Sequence, residues 1–577
     1  MKLRFPLPML LVVAFSIQAM GSSAIRPVHG SKAMVATVHP EASKVGVAIM
    51  QQGGNAVDAA VAIGFALTVV YPEAGNIGGG GFMLFRRPGG EVRFLDYREK
   101  APAKATANMY LDSHGNVVPD MSVMGYKAIG VPGSVAGLVY AQKHWGKLTL
   151  KRVMEPAIQL ARDGFALDYD EARAFRDPQM VQFPESHRIF QRDGDYYQAG
   201  DVFKQPELAR TLERIADNPD DFYHGSMAHE LAASIQKGGG LITADDLAQY
   251  EVKERQPIRG TYRGYEIISA PPPSSGGIAL VEALNILEGY DLAKQGDRSA
   301  QSIHLTAEAF QRAFFDRAEF LGDPDFAKIP VAQLMDKRYG NAWRETIPLR
   351  KATPSADLRR PSVFSQLDSY ASAHPQPNSL RESKHTTHYS VVDPEGNAVS
   401  VTTTLNDGFG SRVTAEGLGF LLNDEMDDFS SKPGVPNMFG LLQGPANAIG
   451  PGKRPLSAMT PTIVLKNGQL FLVLGSPGGP TIITTVANIL MGMVDYGLNI
   501  EQAVNAARFH DQWMPDQIEM EAVGFSPDTV GILEHMGHKV KMTHGYWGDA
   551  ECIAVDEKTG ELLGASDGRD NGKAVGF

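Results

Sequence analysis

The sequence predicts an α+β protein in which sheets are covered by layers of packed helices. Three observations predict it. An Ala/Val-rich run, GGNAVDAAVAIGFALTVVYP (53–72), carries no charge after Asp58 and ends at a proline, as a buried helix would. Hairpin signals recur in the C-terminal third, where apolar alternation flanks short turns. Helical patterns, TIITTVANILMGMV and NIEQAVNAARF, lie between those hairpins.

In chain order, MKLRFPLPMLLVVAFSIQAMGSSA (1–24) reads as a secretory signal. Lys2 and Arg4 give a positive start, residues 8–19 form an apolar block, and small residues offer cleavage near Gly21 or Ala24. The block is shorter than the roughly 20 residues a membrane helix needs. An uncleaved anchor is the alternative, and an exported protein, periplasmic or secreted, is the expectation. From about residue 30 to 350 the chain is mixed. The glycine loop GNIGGGGFMLFRR (75–87) feeds a strand, and KRVMEPAIQLARDG and SAQSIHLTAEAFQRAFFDRAEF read as helices. Residues 352–385 are rich in Ser, Pro, Arg, Gln and Asn without a sustained period, and read as a mobile surface segment. Three hairpins follow. HYSVVD and AVSVTTTL flank PEGN; TIVLKNGQLFLVLG turns at Asn467-Gly468, a type I′ signal; IAVDEKTGELLGA is the third.

Composition narrows the function. The chain has 577 residues, 43% hydrophobic and 21% charged, enough for an extensive core. A net charge of −12, without a basic stripe interleaved with aromatics, argues against nucleic acid as a partner. Cys552 is the only cysteine, so no internal disulfide forms. It sits in the apolar alternation CIAV and reads as a small buried residue, not a catalytic thiol. HMGH (535–538) is one histidine pair without a third ligand, so neither a metal nor another cofactor is expected. SIQK (234–237) and KTG (558–560) imitate penicillin-binding protein motifs, but no Ser-Asp-Asn lies between them and KTG falls at a hairpin turn. Ser134 and Ser476 lack the Gly-x-Ser-x-Gly elbow, because Pro132 and Leu474 stand two residues before them.

The seam RESKHTTHYSVVD (381–393) remains. A polar, basic run stops at Thr386 and a strand pattern begins. If the bond between His385 and Thr386 were cut, Thr386 would carry a free α-amine beside its own hydroxyl. An α-amine has an ordinary pKa of about 7.7–8, so it can serve as general base for that hydroxyl. The β-branch restricts χ1 and holds the hydroxyl in few orientations. An ordinary edge strand starting with β-formers is the competing reading.

Further motifs weigh on that choice. KHTTHYSVVD, TTTLNDGFGS, LLNDEMDDFS, GPGKRPLSAMTPTIV and LGSPGGPTII, in this order, resemble those of the γ-glutamyltransferase family. Upstream, GGNAVDAAVA, GNIGGGGF, LDYREKAPAKAT, VPGSVAGL and PPPSSGGI fit the same family, so the resemblance runs from about residue 30 to Phe577. It implies the N-terminal-nucleophile hydrolase fold, an αββα sandwich built jointly by two fragments of one precursor. It also implies self-cleavage between His385 and Thr386, giving a large subunit (25–385) and a small catalytic subunit (386–577). Thr386 would be the nucleophile, supported by Thr404. Gly478 and Gly479 would form the oxyanion hole, where one donor is worth about 2.7–4 kcal/mol of barrier. Arg98 would grip the substrate α-carboxylate in two parallel bonds. Asp428 would hold the α-ammonium, with Asn406 and Glu425 nearby. Ser457 matches one of two adjacent carboxylate-binding serines; Ala458 replaces the other. Phe439 stands in the lid (433–445) where some members have tyrosine.

The implied activity is cleavage of the γ-glutamyl amide of glutathione and related γ-glutamyl compounds, with water or an amino-acid or peptide acceptor taking the acyl group. Two alternatives stand beside it. A glutaryl or cephalosporin acylase of the same fold would leave Asp428 with no amine to hold, and an inactive relative kept as a binding protein would not need Thr386, Thr404, Gly478 and Gly479.

Overall fold

Two antiparallel sheets of seven strands each stack at the centre of the computed structural model, which describes residues 25–367 and 385–577. The expected signal (1–24) lies outside the described residues, as do residues 368–384 of the segment expected to be mobile. One sheet runs Val28–Gly30, Leu562–Ser566, Glu551–Val555, Gln469–Leu474, Thr462–Lys466, Tyr265–Ser269, Ile258–Tyr262. The other runs Lys573–Gly576, Met34–Thr37, Thr386–Val392, Ala398–Thr404, Gly80–Arg86, Val92–Asp96, Lys253–Arg255.

Alternation along each strand builds three apolar layers. Met34, Ala36, Phe82 and Leu84 of the second sheet meet Ile268, Ile463, Val473 and Ile553 of the first between the sheets. Val35, Met83, Phe85 and Val391 point the other way, onto the helices Pro40–Gln51, Ala56–Val70, Ser134–Trp145 and Leu150–Asp163. Ile267, Val464, Leu472 and Cys552 cover the outer face of the first sheet beneath Gly276–Leu287, Ala300–Phe320 and Thr481–Val494. Helix, sheet, sheet, helix is the layer order.

The three hairpins form, and Asn467 and Gly468 both adopt positive φ (51° and 77°), as a type I′ turn requires. The helix Ala56–Val70 is buried along its whole length and starts on an Asn55–Asp58 capping box. Two expectations need correction. NIEQAVNAARF is helical only over Ile500–Asn505, and Phe509–His510 is already strand. Residues 352–367, read as the start of a mobile segment, are docked: Ser355, Leu358 and Leu367 are buried, and Arg360 pairs with Glu319 at 2.5 Å and with Asp316. Long-range partners hold them, and local composition does not reveal those.

Five strand ladders join residues before position 385 to residues after it. Met34–Thr37 lies between Thr386–Val392 on one side and Lys573–Gly576 on the other. A single cut at the 385–386 bond would therefore leave both products woven into both sheets.

Candidate active site

Thr386 opens its strand opposite Thr404, the last residue of the neighbouring strand. This register brings the two hydroxyls to 3.1 Å of each other. Thr404 Oγ1 also accepts from Asn406 N at 2.8 Å. Asn406 has φ +86°, a conformation asparagine tolerates better than most residues, and its amide donates to Asp424 O and Oδ2. Thr386 is only 5% exposed.

One pocket gathers Arg98, Thr386, Thr404, Asn406, Glu425, Asp428, Phe439, Ser457, Ala458 and Gly479. These residues come from both sides of position 385 and from sequence separations above three hundred residues. Arg98 is fully buried and enclosed by carboxylates. Its Nη2 donates to Asp428 Oδ2 at 2.5 Å, and its Nη1 pairs with Glu425 Oε1 at 2.5 Å, with Glu99 at 3.7 Å. The proximity of Glu425 and Asp428 outweighs burial and holds the guanidinium in its charged form. Burial raises the Glu425 carboxyl well above its ordinary value although Arg98 opposes it, and burial likewise lifts Glu99 to about 7. Arg98 and Asp428, expected to hold opposite ends of a substrate, are bonded to each other.

Gly478 and Gly479 lie just ahead of the helix Thr481–Val494, near its positive end. Pro480 is the residue just before that helix. Both glycines have positive φ (129° and 55°), which other residues rarely adopt. Of the pair, Gly479 lines the pocket and faces the Phe439 ring; Gly478 sits behind it, its carbonyl accepting from Thr481 Oγ1 at 2.8 Å. Ser457 Oγ accepts from Met459 N at 3.1 Å.

Phe439 lines the pocket and is buried. Residues that sequence reasoning missed hold it there. Asn437 donates to Asp428 Oδ1 at 3.4 Å and accepts from the Phe439 and Leu441 backbones at 3.1 Å. Met438 N donates to Asp427 Oδ2 at 3.1 Å, and Gln512 donates to Phe439 O at 3.2 Å. Arg317 and Ser275, also missed, stand under the Ser457 loop. An Asn and an Arg in such contexts carry no periodic signal.

His385 turns away from the pocket. Its Nδ1 lies 2.6 Å from Glu73 Oε1, on the far side of the candidate scissile bond. Burial alone would lower this imidazole, but the Glu73 carboxylate raises it above its ordinary value.

The rival sites are differently placed. Cys552 is buried and its thiol is pushed up by burial. Ser234 is buried in the helix Ser226–Lys237 with Oγ accepting from Glu416 N, while 558–560 form an exposed turn. His538 turns to His304 (2.7 Å) beside Glu308, but both Glu308 oxygens already accept from Thr353, and Arg312 shares one of them. Among the described residues no helix is long and apolar enough to cross a membrane.

The family model for gamma-glutamyltranspeptidase matches residues 42–577. A glutathione hydrolase proenzyme of Pseudomonas sp. (strain A14) is 51% identical over 518 residues, 89% of this chain and 87% of that protein. The glutathione hydrolase proenzyme of Escherichia coli K12 is 49% identical over 547 residues, 94% of this chain and 91% of that protein. Among solved structures, a cephalosporin acylase from Bacillus halodurans superposes with a TM-score of 0.82 at 27% identity, covering 98% of this chain and 99% of its own. With a family model spanning nearly the whole chain and relatives near half identity, the chain belongs to the γ-glutamyltranspeptidase family.

Proposed function

We propose that this protein is a γ-glutamyltransferase and glutathione hydrolase that matures by cutting itself before Thr386. The observation that carries the reading is the 3.1 Å approach of the Thr386 and Thr404 hydroxyls in a pocket that also holds Arg98 and Asp428.

In maturation, Thr386 Oγ attacks the His385 carbonyl carbon, the C–N bond breaks and an ester forms; water then splits the ester and leaves Thr386 with a free amine. The large subunit (25–385) and the small subunit (386–577) stay together through the shared sheets. In turnover, the same oxygen attacks the γ-carbonyl of glutathione or a related compound while the α-amine takes its proton. The Gly478–Gly479 backbone stabilises the oxyanion, and the leaving amine departs with the proton. Water or an amino-acid or peptide acceptor then removes the acyl group, so the kinetics are ping-pong. Arg98 and Ser457 serve the α-carboxylate; Asp428, with Asn406 and Glu425 around it, serves the α-ammonium. Export to the periplasm or the medium belongs to the same reading, on the strength of the apolar N-terminal stretch.

The similarity to a cephalosporin acylase keeps a glutaryl donor as the second reading. Asp428 opposes it, since an acyl group without an amine gives that carboxylate no ligand group to bind. Thr386→Ala tests the proposal on a denaturing gel and by turnover of a γ-glutamyl anilide. The variant should remain one uncut, inactive chain, whereas rapid cleavage at the same bond would refute the assignment of Thr386.

A further inference from the structure

The donor pocket contains a second guanidinium that the roles above leave unused. Arg317 sits in the last turn of the helix Ala300–Phe320 and is 2% exposed, yet it lines the pocket together with Thr386, Asp428 and Ala458. Its Nε donates to Ser275 Oγ at 2.8 Å, and that hydroxyl donates to Ser457 O at 2.6 Å. Its Nη1 is buried with no hydrogen-bond partner among the described residues. A buried cation with an unused N–H is costly to the fold, so a ligand that completes it is the physical expectation. Burial pulls this guanidinium down to about 10, with only Asp428 opposing, so it is still charged at neutral pH.

Arg98 presents the opposite picture. Its Nε donates to Pro455 O at 3.3 Å, its Nη2 to Asp428 Oδ2 and to Leu456 O at 3.4 Å, and its Nη1 faces Glu425. Its Nε and Nη2 are hydrogen-bonded to protein groups, and its Nη1 is held by the charge of Glu425 and Glu99. A carboxylate approaching Arg98 has to displace Asp428 or Glu425, whereas the Arg317 guanidinium is paired with no carboxylate among the described residues. Ala458, on the same wall, has no hydroxyl to offer.

We propose that Arg317 determines donor specificity by binding the α-carboxylate of the γ-glutamyl group through its guanidinium, alongside Arg98 and in place of the hydroxyl that Ala458 lacks. This inference rests on the γ-glutamyl reading and extends it to a second cation.

The test compares wild type, Arg317→Gln and Arg317→Lys as mature enzyme on three p-nitroanilides: γ-glutamyl, glutaryl (no amine) and 4-aminobutyryl (no carboxylate). A hydrogen bond to a charged group predicts a loss of roughly 10- to 100-fold in kcat/KM for Arg317→Gln on the two carboxylate-bearing donors. The 4-aminobutyryl donor should be unaffected. Competitive inhibition by glutamate, glutarate and 4-aminobutyrate gives the same contrast where a poor donor turns over too slowly. If the glutamine variant does not mature, the lysine variant carries the comparison, with smaller losses confined to the same two donors. Equal losses on all three donors would show that Arg317 acts only by holding Ser275 and the Ser457 loop, and would overturn the proposal. Unchanged activity on γ-glutamyl donors would overturn it too. Wild type that fails to cleave any γ-glutamyl anilide would instead sink the functional reading beneath it.

Discussion

Replacing Thr404 by valine isolates the hydroxyl beside the nucleophile, because valine keeps the β-branch and the volume of this buried strand residue. Two contacts disappear: the 3.1 Å bond to Thr386 Oγ1 and the 2.8 Å bond accepted from Asn406 N. The first is a neutral hydrogen bond worth about 0.5–1.5 kcal/mol, which converts to roughly a 2- to 13-fold slower step wherever that bond assists Thr386. The second strands a buried N–H at a cost of about 1–3 kcal/mol, which falls on stability and on the position of the Asn406 turn. Thr404→Val should therefore slow self-cleavage and turnover together and lower the unfolding midpoint, while Thr404→Ser, which keeps the oxygen, stays close to wild type. Self-cleavage is followed on a time-resolved denaturing gel and turnover with γ-glutamyl-p-nitroanilide. A valine variant within two-fold of wild type on both would refute the role given to this hydroxyl. A serine variant as slow as the valine one would transfer the effect from the oxygen to the methyl group.

Three further outcomes are expected. Asp428→Asn should reduce kcat/KM on γ-glutamyl donors more than on glutaryl donors, and equal losses would remove the argument for an amine-bearing substrate. Ala458→Ser should lower KM for γ-glutamyl donors several-fold, in line with about 0.5–1.5 kcal/mol for one neutral bond; an unchanged KM would mean that the serine hydroxyl finds no carboxylate. For the His385–Glu73 pair, the folded state holds the imidazole proton more tightly than the unfolded chain does. The stabilisation is thus complete below about 6.5, the ordinary histidine value, and is lost as pH rises through the raised folded value. In a Thr386→Ala background, Glu73→Gln should lower the unfolding midpoint near pH 6 and have no effect at strongly alkaline pH. A difference that does not vary with pH would refute the linkage.

The parts of this architecture legible in the sequence are those written over short range. The uncharged run ending at Pro72, the Asn467-Gly468 turn and the alternations on either side of PEGN each specify an element within about twenty residues. The pairing of Met34–Thr37 with strands more than three hundred residues away has no such signature, because any apolar alternation of that length would serve. The site divides in the same way. Thr386, Asp428 and Gly479 stand in motifs whose resemblance to a family places them. Arg317, in FFDRAEF, looks like the charged face of a surface helix, and only the packing of Ala300–Phe320 against the Ser457 loop turns it into the pocket. Residues 352–367 mislead for the converse reason. Their composition is that of an exposed linker, but Arg360 reaches Asp316 and Glu319, and two leucines find the core.

The strand order sets a timetable for the molecule's life. Met34–Thr37 is gripped on both edges by strands made more than three hundred residues after it, so the sheet that presents Thr386 is not complete until residues 573–576 have been made. Either fragment made alone would be a comb with missing teeth, its bare edges inviting aggregation. Chain scission has to come after assembly, and the two pieces, once prised apart by denaturant, would face a docking problem that the intact precursor never meets.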